Sequence, residues 1–286
     1  MDHRRAPLAL DCLEDRLAPA TLNGTVLEIT GTVNNDNVVI SRVQINGVEN
    51  IRVTENGTIT NFTAASVTSV TFTGDAGNDR FINRTALPST ADGGEGNDRL
   101  LGGSATDIFT GGNGNDYLNG NGGADTLNGD AGDDILVAGL DRLVNTLIGG
   151  TGSDKLFGSF GNDLLTAGTG GSLEQDTGTN WVFGNLGDDT ITGGAGIDYL
   201  SGGLGKDTLN GGDGNDRLYG GLGADILNGG AGDDFLDGGF DNAVDVLTGG
   251  TGADNFREKF VWSFLPVPQD TFVDFTTGED RTSRLF

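Results

Sequence analysis

The sequence predicts an all-β fold: a parallel β-roll, or β-solenoid, with 18 residues per turn and capped ends. Three observations predict it. A nine-residue unit of the form GGxGxDxUx, with U apolar, recurs through most of the 286 residues. Its sixth position is always aspartate or asparagine, and its eighth is always apolar. Glycine accounts for 52 residues, which suits tight turns and close backbone approach rather than helices.

From Gly93 the chain reads GGEGNDRLL, GGSATDIFT, GGNGNDYLN, GNGGADTLN, GDAGDDILV, and after two irregular units it resumes as GNLGDDTIT, GGAGIDYLS and GGLGKDTLN. Seventeen units lie between Gly93 and Arg257, preceded by GDAGNDRFI from Gly74 to Ile82. The sixth position is held by Asp79, Asp98, Asp107, Asp116, Asp125, Asp134, Asp154, Asp163, Asp189, Asp198, Asp207, Asp216, Asp225, Asp234, Asp245 and Asp254, with Asn145 and Asn180 in the two remaining units. Hydrophobic residues make up only 35% of the chain, so disorder is the reading to defeat. A disordered low-complexity tract has no reason to hold two columns in register.

Each xUx triplet is expected to be a short strand with one inward side chain, because strand side chains alternate faces. The six residues before it make a turn, and two units make one coil. A single coil cannot hide its apolar face, so stability requires stacking. Stacking places aspartates such as Asp98, Asp116 and Asp134 one above another at about 4.8 Å. At an effective dielectric near 20 each neighbouring pair repels by roughly 3–4 kcal/mol. A divalent cation between turns, held by carboxylates and turn carbonyls, reverses the sign, and all-oxygen coordination is what calcium prefers. The net charge of −26 corresponds to about 13 divalent ions. Calcium is therefore expected as a folding cofactor, in multiple ions on the order of one per repeat.

The unit G-G-x-G-x-D-x-U-x resembles the repeat of the RTX, or haemolysin-type calcium-binding, family over residues 74 to 257 with one break. The resemblance implies a parallel β-roll, extracellular location and calcium bound in the turns, with the position-six aspartates carried over as ligands. The departures Ala105, Asn145 and Asn180 put the neighbouring calcium sites in doubt.

The chain divides into a disordered leader over 1–19, a β-strand cap with degenerate turns over 20–72, the calcium-binding roll over 73–257, and a C-terminal cap over 258–286 that is also a candidate secretion-signal region. In the second segment, β-branched runs such as TVLEIT and NIRVT alternate with Asn-Gly turns, and GTVNNDNVV reads as a degenerate repeat with Asp36 and Val38 in the diagnostic positions. AGLDRLVNTLI (138–148) and GGFDNAVDVLT (238–248) carry two extra residues each and share a D-x-x-V-(N/D)-x-L pattern. Residues 167–183 carry eight extra; they form either a tolerated bulge or a contact loop with Glu174, Asp176 and Trp181, and Trp181 is expected at the core edge in both cases. The stretch from Glu258 brings Phe260, Trp262, Phe264, Phe272 and Phe275, an apolar end cap, and QDTFVDFTTGEDR resembles the segment that follows the repeats in RTX proteins. LEDRLAP near the start resembles a short leader of bacterial surface proteins.

A pI near 4.1 argues against nucleic acid and anionic membranes as partners. No apolar run is long enough for a transmembrane helix, and Asp11, Glu14 and Asp15 interrupt any conventional export signal. The lone Cys12 cannot form an internal disulfide. His3 is the only histidine, which removes zinc HExxH sites, serine–histidine triads and histidine acid–base chemistry. No catalytic residue is expected, and the chain is read as a non-enzyme. The favoured function is calcium binding by a secreted or cell-surface scaffold of structural or adhesive role, with a cell-surface or polysaccharide contact left open and no protein partner named. The alternative is a non-catalytic accessory module or fragment of a type I-secreted protease, lipase or epimerase, against which stand the roughly 20 residues preceding the β region. Ice binding by a threonine row at position three is disfavoured, since only Thr151, Thr169 and Thr251 occupy it.

Overall fold

The computed structural model describes residues 18–168, 177–258, 271–273 and 281–284. The β-branched runs at its start form β1 (Ala18–Asn23) and β2 (Val26–Thr30), an antiparallel pair. An antiparallel meander of β3 (Asn37–Ile45), β4 (Val48–Glu55) and β5 (Thr58–Thr63) follows. Its two turns are the Asn-Gly pairs Asn46-Gly47 and Asn56-Gly57, all four residues at positive φ, the twist that matches a hairpin.

The parallel roll is already under way in this segment. Strand β2 lies parallel to β6 (Ser69–Thr73), and β3 lies parallel to β7 (Arg80–Asn83). From there the chain alternates between two sheets, and every strand pairs in parallel with the strand one coil away. The first sheet runs from β1 to Thr271–Phe272 and the second from the meander to Arg281–Arg284. In regular coils the register is 18 residues, as in Tyr199 opposite Arg217 and Thr208 opposite Ile226.

The strands are longer than an xUx triplet. Arg217–Leu222 and Thr208–Asp213 each span six residues, running through the two glycines that open the next repeat. Those glycines pair with their counterparts one coil away, Gly203 with Gly221 and Gly212 with Gly230, so their backbone belongs to the sheets. The second glycine sits at positive φ, for example +111° at Gly212, and its missing Cβ would lie against the Gly194 carbonyl. Where another residue takes that place, Asp75, Asn121, Asp130 and Asn185 adopt φ of 72°, 66°, 70° and 77°. Asparagine and aspartate are the side chains that tolerate this region best.

The eighth-position residues build the core. Leu100, Phe109, Leu118, Leu127, Leu136, Leu147, Leu156, Leu165, Val182, Ile191, Leu200, Leu209, Leu218, Leu227, Leu236, Leu247 and Phe256 are all fully buried. Each contributes roughly 1.5–3 kcal/mol by leaving water. At the N-terminal end Phe72 and Phe81 stack with ring centroids 5.3 Å apart, and Phe81 meets Phe109 edge-on.

Candidate metal centre

The sixth position of each repeat follows the tight turn and precedes the inward apolar residue, and its side chain also points into the roll. All sixteen aspartates are buried, none more than 2% exposed. One carboxylate oxygen of each continues a ladder through the molecule. The backbone N–H of Asp98 donates to Asp116 Oδ1 at 2.7 Å, that of Asp116 to Asp134 at 2.7 Å, and that of Asp198 to Asp216 at 2.8 Å. A second ladder on the opposite edge runs from Ser89 through Asp107, Asp125, Asn145, Asp163, Asp189, Asp207 and Asp225 to Asp245. Every rung joins two successive coils, so the carboxylate acts as a structural staple before any cation is considered.

The other oxygen differs. In Asp79, Asp98, Asp116, Asp125, Asp134, Asp189, Asp207, Asp216, Asp225 and Asp234 it is buried and accepts no hydrogen bond among the described residues. It lies against the first glycine of its own repeat, where, except at Gly120 and Gly202, the carbonyl oxygen of the next coil's glycine also comes close. At Gly93, for instance, a Cβ would meet Asp98 Oδ2 and stand 2.6 Å from the Gly111 carbonyl. The carboxylate oxygen thus has no donor while a carbonyl of the next coil borders the same space, one that only glycine leaves open; that carbonyl takes a backbone N–H, as Gly238 O does from Gly221 at 3.1 Å. A buried carboxylate oxygen without a partner is costly. Burial accordingly raises the carboxyls of Asp116, Asp134, Asp189, Asp216, Asp225 and Asp234 to about 7, an effect the ladder hydrogen bond counters and neighbouring aspartates reinforce. Burial is the leading cause, ahead of the repulsion between stacked carboxylates that the sequence suggests.

A hard divalent cation fits this donor set, since buried carboxylate and carbonyl oxygens are what calcium takes. Among the described residues no group of three or more acidic, histidine or cysteine side chains gathers around one point. Backbone carbonyls would therefore have to supply a large share of the ligands, as the glycine-lined turns allow.

The profile of the RTX calcium-binding nonapeptide repeat matches residues 90–118, 110–142, 144–172, 175–209 and 210–244. The chain belongs to this family. No curated protein matches it. The chain is thus a calcium-binding protein of RTX type.

The departures within the RTX repeats have distinct local structures. Asn145 and Asn180 keep the ladder, their Oδ1 accepting from Asp125 at 2.9 Å and Asp154 at 2.7 Å. Their amide nitrogens donate where an aspartate would present an oxygen: Asn145 to Leu143 O, Ser159 Oγ and Asp163 Oδ1, and Asn180 to Asp198 Oδ1 at 3.0 Å. An amide joins the coils there without a cation. Next to Ala105, the second oxygen of Asp107 accepts the Gly103 N–H at 2.9 Å, and that of Asp163 accepts the Ser159 N–H. Asp36, in the degenerate repeat, is the first rung: its N–H donates to Asp79 Oδ1, and its Oδ2 accepts from Thr32.

The paired insertions have a shared purpose. Asp141 and Asp241, the aspartates of the D-x-x-V pattern, reach back one coil to accept the N–H of Gly123 at 2.9 Å and Gly223 at 2.6 Å. Their other oxygens accept from Leu143 and Ala243, closing each bulge on itself.

Sequence reasoning missed a second column. The fifth-position side chains of Asn78, Asn97, Asn115 and Asp133 each accept the N–H of the next coil, from Asn97 to Ser153. The signal was present as the Asn/Asp bias of that position. Trp181 is a correction: it is 41% exposed on the outer face of the second sheet, stacked on Tyr199 at 4.2 Å, rather than at the core edge. It occupies the seventh position of its repeat, whose side chains point outward. Glu174 and Asp176, residues 1–17 of the leader, and Phe260, Trp262, Phe264 and Phe275 lie outside the described residues. The last two residues of the expected disordered leader, Ala18 and Pro19, instead open strand β1, which pairs with β2.

Proposed function

We propose that calcium ions are held between successive coils by the position-six aspartates and glycine carbonyls, and that the calcium-closed roll is a non-catalytic scaffold of structural or adhesive role outside the cell. The carrying observation is the file of buried carboxylate oxygens that face the next coil's carbonyls without a donor. When bound, calcium supplies the positive charge that lets these acceptors approach. Asp79, Asp98, Asp116, Asp125, Asp134, Asp189, Asp207, Asp216, Asp225 and Asp234 are the principal ligands in this reading. Asp107, Asp154, Asp163, Asp198, Asp245 and Asp254 extend the same columns, with Asp107 and Asp163 weakened because both of their oxygens already accept hydrogen bonds. An extracellular setting is supported by the RTX family match, and sites of extracellular modules fill at roughly 10⁻⁴–10⁻³ M calcium. The buried carboxylates of the repeats are occupied by the ladder, which supports a role other than acid–base catalysis.

Calcium titration followed by circular dichroism tests this reading. The chain is expected to gain β-structure as calcium rises into that range and to lose it on chelation. A chain equally folded in excess chelator overturns it.

A further inference from the structure

The two outer faces of the roll differ in chemistry. On the first sheet one outward row carries Thr90, Ile108, Thr126, Thr146, Thr190 and Thr208, and its described strands hold no lysine or arginine. On the second sheet, the outward residues that share one register file are Arg80, Arg99, Tyr117, Ile135, Lys155, Trp181, Tyr199, Arg217 and Phe235. Four cations and four aromatic rings follow one another along the roll axis, with no acidic residue between them, in a chain of net charge −26. Asp237, in the adjacent outward file, is engaged by Arg257 at 2.7 Å.

The arginines of this file are held by rings. The Arg99 guanidinium lies 4.6 Å over the Tyr117 ring, and that of Arg217 lies 5.6 Å over Tyr199, whose other face stacks on Trp181. A guanidinium on an aromatic face is oriented while its in-plane N–H groups stay available for a bidentate anion. Arg99, Lys155 and Arg217 are exposed. Among the described residues, the salt bridges of this chain are Arg42 with Glu49 and Arg257 with Asp237, so none of the three is neutralised by a carboxylate. At the N-terminal end the file opens into a cleft of about 680 Å³ lined by Arg42, Arg80, Arg84 and Leu101.

We propose that this face of the second sheet binds an acidic polysaccharide laid along the roll axis, its anionic groups met by Arg80, Arg99, Lys155 and Arg217. The cations stand one, three and three coils apart along a single file, a spread that fits a linear polyanion better than a small molecule. The Trp181, Tyr199 and Tyr117 rings present apolar bodies with polar tips, a match for the mixed C–H and O–H surface of sugars. A nucleic acid would bring a denser line of charge against the acidic turns on either side of the face, and is disfavoured. The surface exists only in the stacked roll and so rests on the calcium reading, but the two fail differently. A chain that does not fold on calcium shows it by circular dichroism, whereas a failed glycan site leaves the dichroism intact.

The test uses the full calcium-loaded chain and hyaluronan, a carboxylate-bearing glycan, in affinity electrophoresis with uncharged dextran and single-stranded DNA alongside. Hyaluronan is expected to retard the protein, with retardation lost as salt rises. Arg99→Gln combined with Arg217→Gln is expected to weaken it at least about tenfold, the loss of two charge-assisted contacts, while Lys206→Gln on a turn edge leaves it unchanged. Should the glutamine pair lose the calcium-induced signal, Arg99→Lys with Arg217→Lys decides: a several-fold loss supports ring-oriented guanidinium recognition, and no loss overturns it. Absence of retardation in folded protein, equal retardation by dextran, or preference for DNA each overturns the proposal.

Discussion

Replacing Asp216 by asparagine separates the two tasks of a repeat aspartate. Oδ1 of Asp216 accepts the Asp198 N–H at 2.8 Å, and its own N–H donates to Asp234 at 2.8 Å. Its other oxygen is buried and accepts nothing among the described residues. An asparagine at this position would keep the ladder and replace that oxygen by a donor, as Asn180 does within the same ladder. Without calcium, the variant loses repulsion with two neighbours, for which about 3–4 kcal/mol each is the ceiling when all are ionised. Burial raises the Asp216 carboxyl to about 7, so partial protonation at neutral pH leaves a relief of roughly 1–2 kcal/mol. With calcium the sign reverses, because a ligand is gone. The assays are the residual β signal in chelator, the calcium midpoint and the number of ions bound at equilibrium dialysis. D216N is expected to hold at least as much β signal as the parent in chelator, to need more calcium, and to bind one or two fewer ions, since Asp216 faces a coil on each side. Asp216→Ala, which leaves the Asp198 N–H unsatisfied, is expected to lose about 1–3 kcal/mol in both conditions. If D216N weakens the chelated state as much as D216A, or binds calcium as the parent does, the reasoning fails.

The raised carboxyls also set a pH dependence. Their pKa in the stacked roll, about 7 for Asp116, Asp134 and Asp225, exceeds the ordinary 3.8, so the metal-free roll binds more protons than the unfolded chain between those limits. Its stability therefore falls as pH rises from about 4 to about 7. Calcium-stripped protein is expected to gain β-structure on acidification from pH 8 to pH 5, and a flat or inverted dichroism profile refutes this. Asn145→Asp would remove the amide donor to Leu143 O and Asp163 Oδ1 and bury a charge between Asp125 and Asp163. It should cost about 1–3 kcal/mol in chelator and add one calcium ion, read by dialysis. Leu209→Ala in the core should cost about 2–5 kcal/mol in calcium-loaded denaturation, against under about 0.5 for its outward neighbour Thr208→Ala.

How far this molecule can be read in its sequence depends on which constraint each column expresses. The eighth position was legible because burial tolerates few residue types: every one of Leu100 to Phe256 in that column is enclosed. The sixth was legible as chemistry but not as geometry. Its aspartates suggest stacked charges, yet the hydrogen bond from each backbone N–H to the next carboxylate depends on the side chain turning inward, which spacing alone does not tell. The strand bounds were misjudged because glycine is a poor strand former. Here Gly203 and Gly221 pair in the sheet since a coil that passes this close to the next leaves no room for a Cβ. The outward rows were the least legible. Arg99, Tyr117, Trp181 and Arg217 lie at scattered places in the sequence, and only the 18-, 20- and 26-residue registers bring them into one file. In a solenoid, the variable positions of the repeat become the composition of a face. The invariant columns of this chain specify how it closes, and the variable ones, whose ordering appears only after stacking, carry what distinguishes one side of the roll from the other.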